Sequence, residues 1–156
     1  MHPSHFSMLL DPARGYFELG LYEDAWKELD KLEPKATAHP ETLLLRLDIL
    51  LALHRWEDAI ALGAGCCQSW RKYDDFFLKT ASALIGFGDW HNAYGLLKNA
   101  PKSLHASPEY HFTLARCASR QGLINDAEIA LQACFDRDKS YRQRGLDDPD
   151  LERVWE

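Results

Sequence analysis

Residues 88–94 of this 156-residue chain read GDWHNAY, and the same order of residue types occurs at three other places. The matching stretches read GLYEDAW at 20–26, HRWEDAI at 54–60 and GLINDAE at 122–128. Their alanines are spaced 34 residues apart, at Ala25, Ala59, Ala93 and Ala127. Because a whole block recurs without any drift in spacing, the chain is predicted to consist of four structural repeats.

Each repeat is predicted to contain two antiparallel helices joined by a tight turn. Five residues before each alanine stands Gly20, His54, Gly88 or Gly122, where one helix ends and the backbone takes a positive φ. The alanine is small because the two helices press together there. The intervening segments at 41–53, 75–87 and 109–121 also have helical patterns, and no stretch alternates as a half-buried strand does.

The repeats resemble the tetratricopeptide repeat (TPR) family, whose unit is a 34-residue helix pair with small and aromatic residues at fixed places. The resemblance covers roughly residues 9 to 137. It implies an all-α, right-handed α-solenoid of four antiparallel helix pairs in a single domain spanning 1–156. The four repeats are expected at residues 6–39, 40–73, 74–107 and 108–137. A C-terminal cap with a short capping helix is expected at 138–156.

Several residues depart from the family pattern. Pro12 is expected to open the first helix with Asp11 as its N-cap, leaving residues 1–10 irregular or loosely docked. Arg46 and Thr80 stand at a place that is usually apolar. Helix starts are expected where N-capping residues precede a proline, at Ser107-Pro108, His39-Pro40 and Asp148-Pro149.

Composition excludes some classes of partner. The net charge of −6 and a pI near 5.6 argue against nucleic acid and anionic membrane surfaces, both of which require a basic face. No apolar run approaches the roughly 18 residues that a membrane span needs. The N-terminal stretch MHPSHFSMLLDPARG lacks the pattern of a signal peptide, so a cytoplasmic location is expected.

The adjacent pair Cys66-Cys67 raises the question of a metal or redox site. Cys66 falls in a column of small residues in the second helices, and adjacent residues on a helix do not face a common partner. Cys134 lies two repeats away, beyond the reach of a shared zinc, and Cys117 lacks further ligands. The cysteines are therefore predicted to be packing residues, with no metal and no cofactor. Motifs for nucleophilic catalysis or phosphate binding are also missing, so the chain is predicted not to be an enzyme.

The first helices of TPR pairs line the concave side of the solenoid, which is the usual binding surface. Projecting the repeats onto this side gives an apolar floor with a few charges, suited to an extended peptide or an amphipathic helix. The predicted partner-binding residues are Arg14, Phe17, Leu44, Leu45, Asp48, Leu51, Leu78, Lys79, Ser82, Ile85, Phe112, Thr113, Arg116 and Arg120. For Leu44, Leu45 and Leu51, a purely structural role in the core is an equally good interpretation.

The resemblance implies a non-enzymatic module that binds a peptide or helix of a partner protein. It does not extend to the clamp for acidic C-terminal peptides, because the corresponding places hold no asparagine. Two alternatives remain: a small secretion- or assembly-type chaperone that shields an apolar client segment, and a self-assembling scaffold. For the latter, the stripe Leu151, Val154 and Trp155 in the C-terminal tail could pack on the last repeat or form a homo-oligomer.

Overall fold

The computed structural model describes residues 5–156, which form α and 3-10 helices and contain no strand. The α helices are α1 His5–Leu9, α2 Asp11–Glu18, α3 Tyr22–Asp30, α4 Pro34–Thr37, α5 Pro40–Ala52, α6 Trp56–Ser69, α7 Asp74–Phe87, α8 Trp90–Lys98, α9 Pro108–Arg120, α10 Ile124–Arg137 and α11 Tyr141–Asp147. The 3-10 helices are Lys102–Ala106 and Pro149–Val154. The predicted all-α repeat fold is confirmed, with the helix pairs α2/α3, α5/α6, α7/α8 and α9/α10 following one another along the chain.

The turns inside the pairs have the predicted backbone conformation. Gly20, Gly88 and Gly122 have φ values of 76°, 93° and 79°, and His54 takes a φ of 56° at the corresponding place in the second pair. The four alanines of the 34-residue period are all 0% exposed. Their complete burial agrees with the prediction that the two helices of a pair press together at these alanines.

The prolines at the ends of two repeats shorten the second helices. α3 and α8 have nine residues each, whereas α6 and α10 have 14. In the short pairs, Pro34 opens α4 and Pro101 immediately precedes the 3-10 helix Lys102–Ala106. These extra turns carry the chain across to the next repeat.

The N-terminal segment is more ordered than the sequence suggests. Residues 5–9 form α1, the Phe6 ring stacks on His39 with 3.8 Å between centroids, and Leu10 is 0% exposed. The expectation of an irregular or loosely docked segment is therefore wrong for residues 5–10, and residues 1–4 lie outside the described range. The N-cap is Leu10 rather than Asp11, which is already helical. The apolar side chains of Phe6 and Leu10 explain the difference, because Leu10 is buried in the N-terminal cluster and Phe6 is half-buried against it.

The other predicted helix starts are confirmed. The Ser107 hydroxyl accepts the N–H of Tyr110 at 3.3 Å, and the His39 ring accepts the N–H of Glu41 at 3.2 Å. The Asp148 carboxylate accepts the N–H of Asp150 at 2.9 Å. Each cap satisfies one of the backbone donors left free at a helix N-terminus.

Neighbouring repeats approach each other most closely between α6 and α7. A Cβ atom built on Gly63 would lie 2.1 Å from Thr80 Oγ1, and one built on Gly86 would lie 2.7 Å from the Trp56 ring. The Thr80 hydroxyl donates to the Phe76 carbonyl at 2.6 Å, which explains how a polar residue is tolerated at this usually apolar place.

The C-terminal cap consists of α11 and the 3-10 helix Pro149–Val154, both packed on the last repeat. Leu151 is 0% exposed and Val154 packs against the same cluster, as the apolar stripe predicts. Trp155 stays 44% exposed, although its indole N–H donates to the Gly145 carbonyl at 3.2 Å. The cap therefore closes the C-terminal end of the solenoid within its own chain.

Candidate partner-binding face

The predicted partner-binding residues of α2, α5, α7 and α9 are together called the first-helix face. Contacts between side chains connect successive first helices across this face. Arg14 Nη2 of α2 lies 3.4 Å from Glu41 Oε2 of α5. Further along, Lys79 of α7 forms an ion pair with Asp48 of α5. These contacts join the first helices of the first three repeats side by side.

The middle of the first-helix face is apolar. Leu44, Leu51, Leu78 and Ile85 are half-buried and pack against the central core cluster, so each has one side in the core and one at the surface. Ser82 is exposed at the centre of α7, where its hydroxyl donates to the Leu78 carbonyl at 3.0 Å. Both roles considered for Leu44 and Leu51, in the core and at the surface, are therefore compatible with their positions.

At the first repeat, Phe17 is half-buried and its ring lies 5.3 Å from that of Tyr22. The Arg14 guanidinium also donates to the Ser7 carbonyl at 3.2 Å and to its hydroxyl at 3.0 Å. Arg14 is thus committed to α1 as well as to α5, and it is only partly available to a partner.

Three predicted surface residues are core residues instead. Leu45 is 7% exposed and packs with Leu10 and Ile49 in the N-terminal cluster, because α5 turns this residue toward α2 and α3. Phe112 is 0% exposed and Thr113 is 5% exposed. The C-terminal cap covers Phe112: Leu151 lies in the same cluster, and the Arg144 Cζ lies 4.4 Å from the Phe112 ring centroid.

The last two predicted residues, Arg116 and Arg120, face the C-terminal tail. Arg116 Nε lies 3.3 Å from Asp148 Oδ2, and its Nη2 lies 2.9 Å from Asp150 Oδ2. Arg120 Nε lies 3.8 Å from Asp150 Oδ1. The acidic segment that contacts these two arginines is the chain's own C-terminal tail.

A second set of grooves lies between successive second helices and was not predicted from the sequence. One, of about 510 Å³, separates α6 from α8 and includes Cys67, Thr80 and Leu96. Another, of about 450 Å³, is lined by Trp26 of α3 and by Arg46 and Leu50 of α5. The sequence signals related to these grooves are Arg46 and Thr80, which replace the usual apolar residue of the family. Arg46 lines the groove beside Trp26, and Thr80 lines the groove between α6 and α8.

Arg46 is 8% exposed and is held in place by two contacts. Its Nη2 lies 3.1 Å from Asp30 Oδ1, and its Cζ lies 4.4 Å from the Trp26 ring centroid. A buried guanidinium requires such partners. It therefore has a structural role in joining the first two repeats.

The cysteines and the buried histidine have the properties of packing residues. All four cysteines are free and buried, and burial raises the pKa of Cys66 and Cys134 to about 11 and that of Cys117 to about 12. Burial is also the main cause that raises the pKa of Cys67. Such thiols are poor nucleophiles at neutral pH. His111 is also buried, at 8% exposed, with Nε2 2.8 Å from the His105 carbonyl oxygen.

Within residues 5–156, no three His, Cys, Asp or Glu side chains are grouped so that they could hold a metal ion. Over the same range, no helix combines the length and the apolar character required to cross a membrane.

No protein-family model matches the sequence. Solved structures that share the fold include the MamA RS-1 ArsTM double mutant, with a TM-score of 0.77, and MamA 41-end from Desulfovibrio magneticus RS-1, with a TM-score of 0.76. Each match covers 99% of this chain and 91% or 92% of the other, at 14% sequence identity. At this identity the likeness concerns the fold alone. It confirms the helical-repeat solenoid expected from the TPR resemblance.

Proposed function

We propose that the chain is a non-enzymatic protein-interaction module that binds a peptide or helix of a partner protein on its first-helix face. The observation that carries this proposal is the surface between α5 and α7. There, α5 and α7 carry four half-buried apolar side chains together with the Asp48–Lys79 ion pair, and Ser82 is exposed. An apolar strip with a few fixed charges is suited to an amphipathic segment, which places apolar side chains on the strip and polar ones at its edges.

The fold supports the same proposal, since stacked helix pairs offer an extended concave surface rather than a closed catalytic cleft. The raised thiol pKa values agree with it, because they describe cysteines that serve packing rather than chemistry. The ion pair also limits the choice of partner. A segment that binds here must either leave the Asp48–Lys79 pair intact or satisfy both charges.

The test compares two purified variants that each add one arginine to an exposed helix position. Ser82→Arg places it on the first-helix face, and Ala61→Arg places it on the exposed side of α6. Both variants should keep the circular dichroism and the thermal midpoint of the wild type. Proteins captured by the wild type from the source-cell lysate should be lost with Ser82→Arg and retained with Ala61→Arg. Equal capture by both variants would remove the first-helix face as the binding surface.

A second candidate function is the self-assembling scaffold, and exposed apolar residues near the N-terminus favour it. Met8, Leu9, Tyr16, Leu19 and Leu21 all lie within α1, α2 and the following turn, and Leu19 is 75% exposed. A second copy covering them would remove this apolar surface from water. Sedimentation over a wide concentration range tests the scaffold function. If the chain is a self-assembling scaffold, the wild type should form an oligomer that Leu19→Glu abolishes. A strictly monomeric wild type rejects the scaffold function.

A further inference from the structure

The C-terminal tail meets α9 through a short stretch with a defined shape. Asp148 caps the 3-10 helix by accepting the N–H of Asp150, which brings the two carboxylates to the same side of the stretch. Arg116 contacts both of them, through Nε to Asp148 at 3.3 Å and through Nη2 to Asp150 at 2.9 Å. One guanidinium therefore binds two carboxylates that are two residues apart in sequence.

Two further groups, Arg120 of α9 and Trp90 of α8, contribute to this contact. Arg120 Nε lies 3.8 Å from Asp150, and the Trp90 ring centroid lies 5.2 Å from the Arg120 Cζ and 5.8 Å from the Arg116 Cζ. The aromatic face thus lies beside both cations, an arrangement that stabilises guanidinium groups. We call Trp90, Arg116 and Arg120 the acid-binding site.

An apolar pocket next to the acid-binding site takes the residue that follows the two aspartates. Leu151 is 0% exposed and packs in a cluster that includes Phe112 and Ala115 of α9. The side chains of Arg116, Asp148 and Asp150 are only 23%, 16% and 20% exposed, so the charges meet in a partly dehydrated environment. The surface of α9 therefore accommodates a short pattern, two carboxylates followed by a leucine, by charge and by shape.

This stretch of the tail is separate from the part that anchors the cap. α11 is attached by Arg144, whose Nη1 and Nη2 lie 2.7 and 3.0 Å from the two Glu109 oxygens. The Tyr141 hydroxyl donates to the same carboxylate at 2.8 Å. These contacts attach α11 to α9 without the two aspartates, and the 3-10 helix is joined to α11 through the Trp155 indole N–H, which donates to the Gly145 carbonyl.

Arg116 and Arg120 lie on α9, the first helix of the last repeat, and belong to the first-helix face that is proposed to bind a partner. We propose that the acid-binding site is a docking site for an acidic segment of a partner protein with the pattern Asp-x-Asp-Leu, and that the chain's own residues 148–151 occupy it in competition. The inference rests on the proposed function and specifies the chemistry of the partner. The tail is the evidence for that chemistry, since it satisfies the charges and the apolar pocket together.

The experiment uses a fluorescently labelled peptide of residues 146–156, LDDPDLERVWE, added to the full-length protein. The double variant Asp148→Asn/Asp150→Asn removes both charges from the attached tail, and asparagine keeps the capping role. The peptide should bind this variant about tenfold or more tightly than it binds the wild type, because loss of charge-assisted hydrogen bonds opens the site. The matched control Asp147→Asn/Glu152→Gln removes the same charge from exposed tail positions and should bind the peptide like the wild type.

Adding Arg116→Gln and Arg120→Gln to the double variant should abolish the gain in peptide affinity. If the double variant binds no more tightly than the wild type, or if the gain survives these arginine changes, the tail is a structural cap only and the proposal is overturned. Should the double variant not fold, Asp150→Asn alone removes the contacts of Asp150 to both arginines but keeps the Arg116–Asp148 contact and the Asp148 cap, so a smaller gain in peptide affinity is expected.

Sedimentation of the wild type separates a foreign partner from a second copy. A monomer at all concentrations is expected. A dimer that disappears in Asp148→Asn/Asp150→Asn would identify a neighbour's tail as the occupant and overturn the assignment to another protein. Because Ser82 lies on α7, away from the tail, a negative peptide result leaves the Ser82→Arg test of the proposed function unaffected, and the two proposals fail separately.

Discussion

A Cβ atom on Gly63 would lie 2.1 Å from the Thr80 hydroxyl oxygen, so α6 and α7 pack there with space for a hydrogen and nothing larger. Thr80 is β-branched, and its own Cβ would lie 3.0 Å from the Cβ added on Gly63. Such a side chain has little freedom to move aside. This contact sets the distance between the second and third repeats.

Gly63→Ala is therefore expected to destabilise the protein by about 1–3 kcal/mol through overpacking, even though alanine favours helices. In the double variant Gly63→Ala/Thr80→Ala, the space left by the threonine should absorb part of the clash. The double variant should then lose less stability than the sum of the two single changes, which urea unfolding of all four proteins measures. Simple additivity would show that the two residues do not interact.

A turn glycine and a helical glycine with open space around it should respond to alanine in opposite directions. Gly88 has a φ of 93°, and alanine there is expected to cost about 1–2 kcal/mol of strain. Gly65 lies inside α6 with no neighbour within 4 Å of an added Cβ, so Gly65→Ala should stabilise by about 0.5–1 kcal/mol. Thermal unfolding of both variants checks this. A stabilised Gly88→Ala would contradict the assigned turn conformation.

The buried thiols should make the protein sensitive to alkali. The pKa of Cys117 is about 12 in the folded protein, above its ordinary value of 9.0, because burial disfavours the thiolate. Between these values the unfolded chain releases the proton and the folded one keeps it, so the free energy of unfolding falls as the pH rises. Urea unfolding from pH 8.5 to 10.5 should show this decline, and Cys117→Ala should make it shallower. An unchanged slope in the variant would rule out the thiol as a cause.

His111 should have the corresponding effect in acid. Burial lowers the pKa of this imidazole from its ordinary value of 6.5, so the unfolded chain binds a proton that the folded one resists. Stability contributed by the neutral ring is present above about pH 6.5 and is lost as the pH falls. His111→Gln should flatten the fall in the unfolding midpoint between pH 7 and 5 relative to the wild type. The same fall in the variant and in the wild type would contradict the burial argument.

The sequence predicts the repeat architecture well because its signals are local and periodic. The small alanines such as Ala59, the turn residues and the caps such as Ser107 each act within one helix pair, so spacing alone reveals them. Contacts between repeats are different. The match of Gly63 to Thr80 depends on how two pairs pack, and no pattern within one repeat records it.

The candidate site was only partly predictable for the same reason. The positions of Lys79 and Asp48 on their first helices follow from the 34-residue period, and in the structure the two residues form an ion pair. The burial of Leu45 depends on the rotation of α5, which a helix rich in leucines on all sides does not specify. Phe112 was assigned to the surface because its register is that of a first-helix residue, whereas the tail that covers it comes from outside the repeat.

Amide hydrogen exchange with a partner protein captured by the wild type tests the central claim most directly. If the first-helix face is the binding surface, addition of the partner should slow exchange in α5 and α7 and leave α6 and α8 unchanged. Protection confined to α6 and α8 would place the partner in the grooves between the second helices and contradict the account.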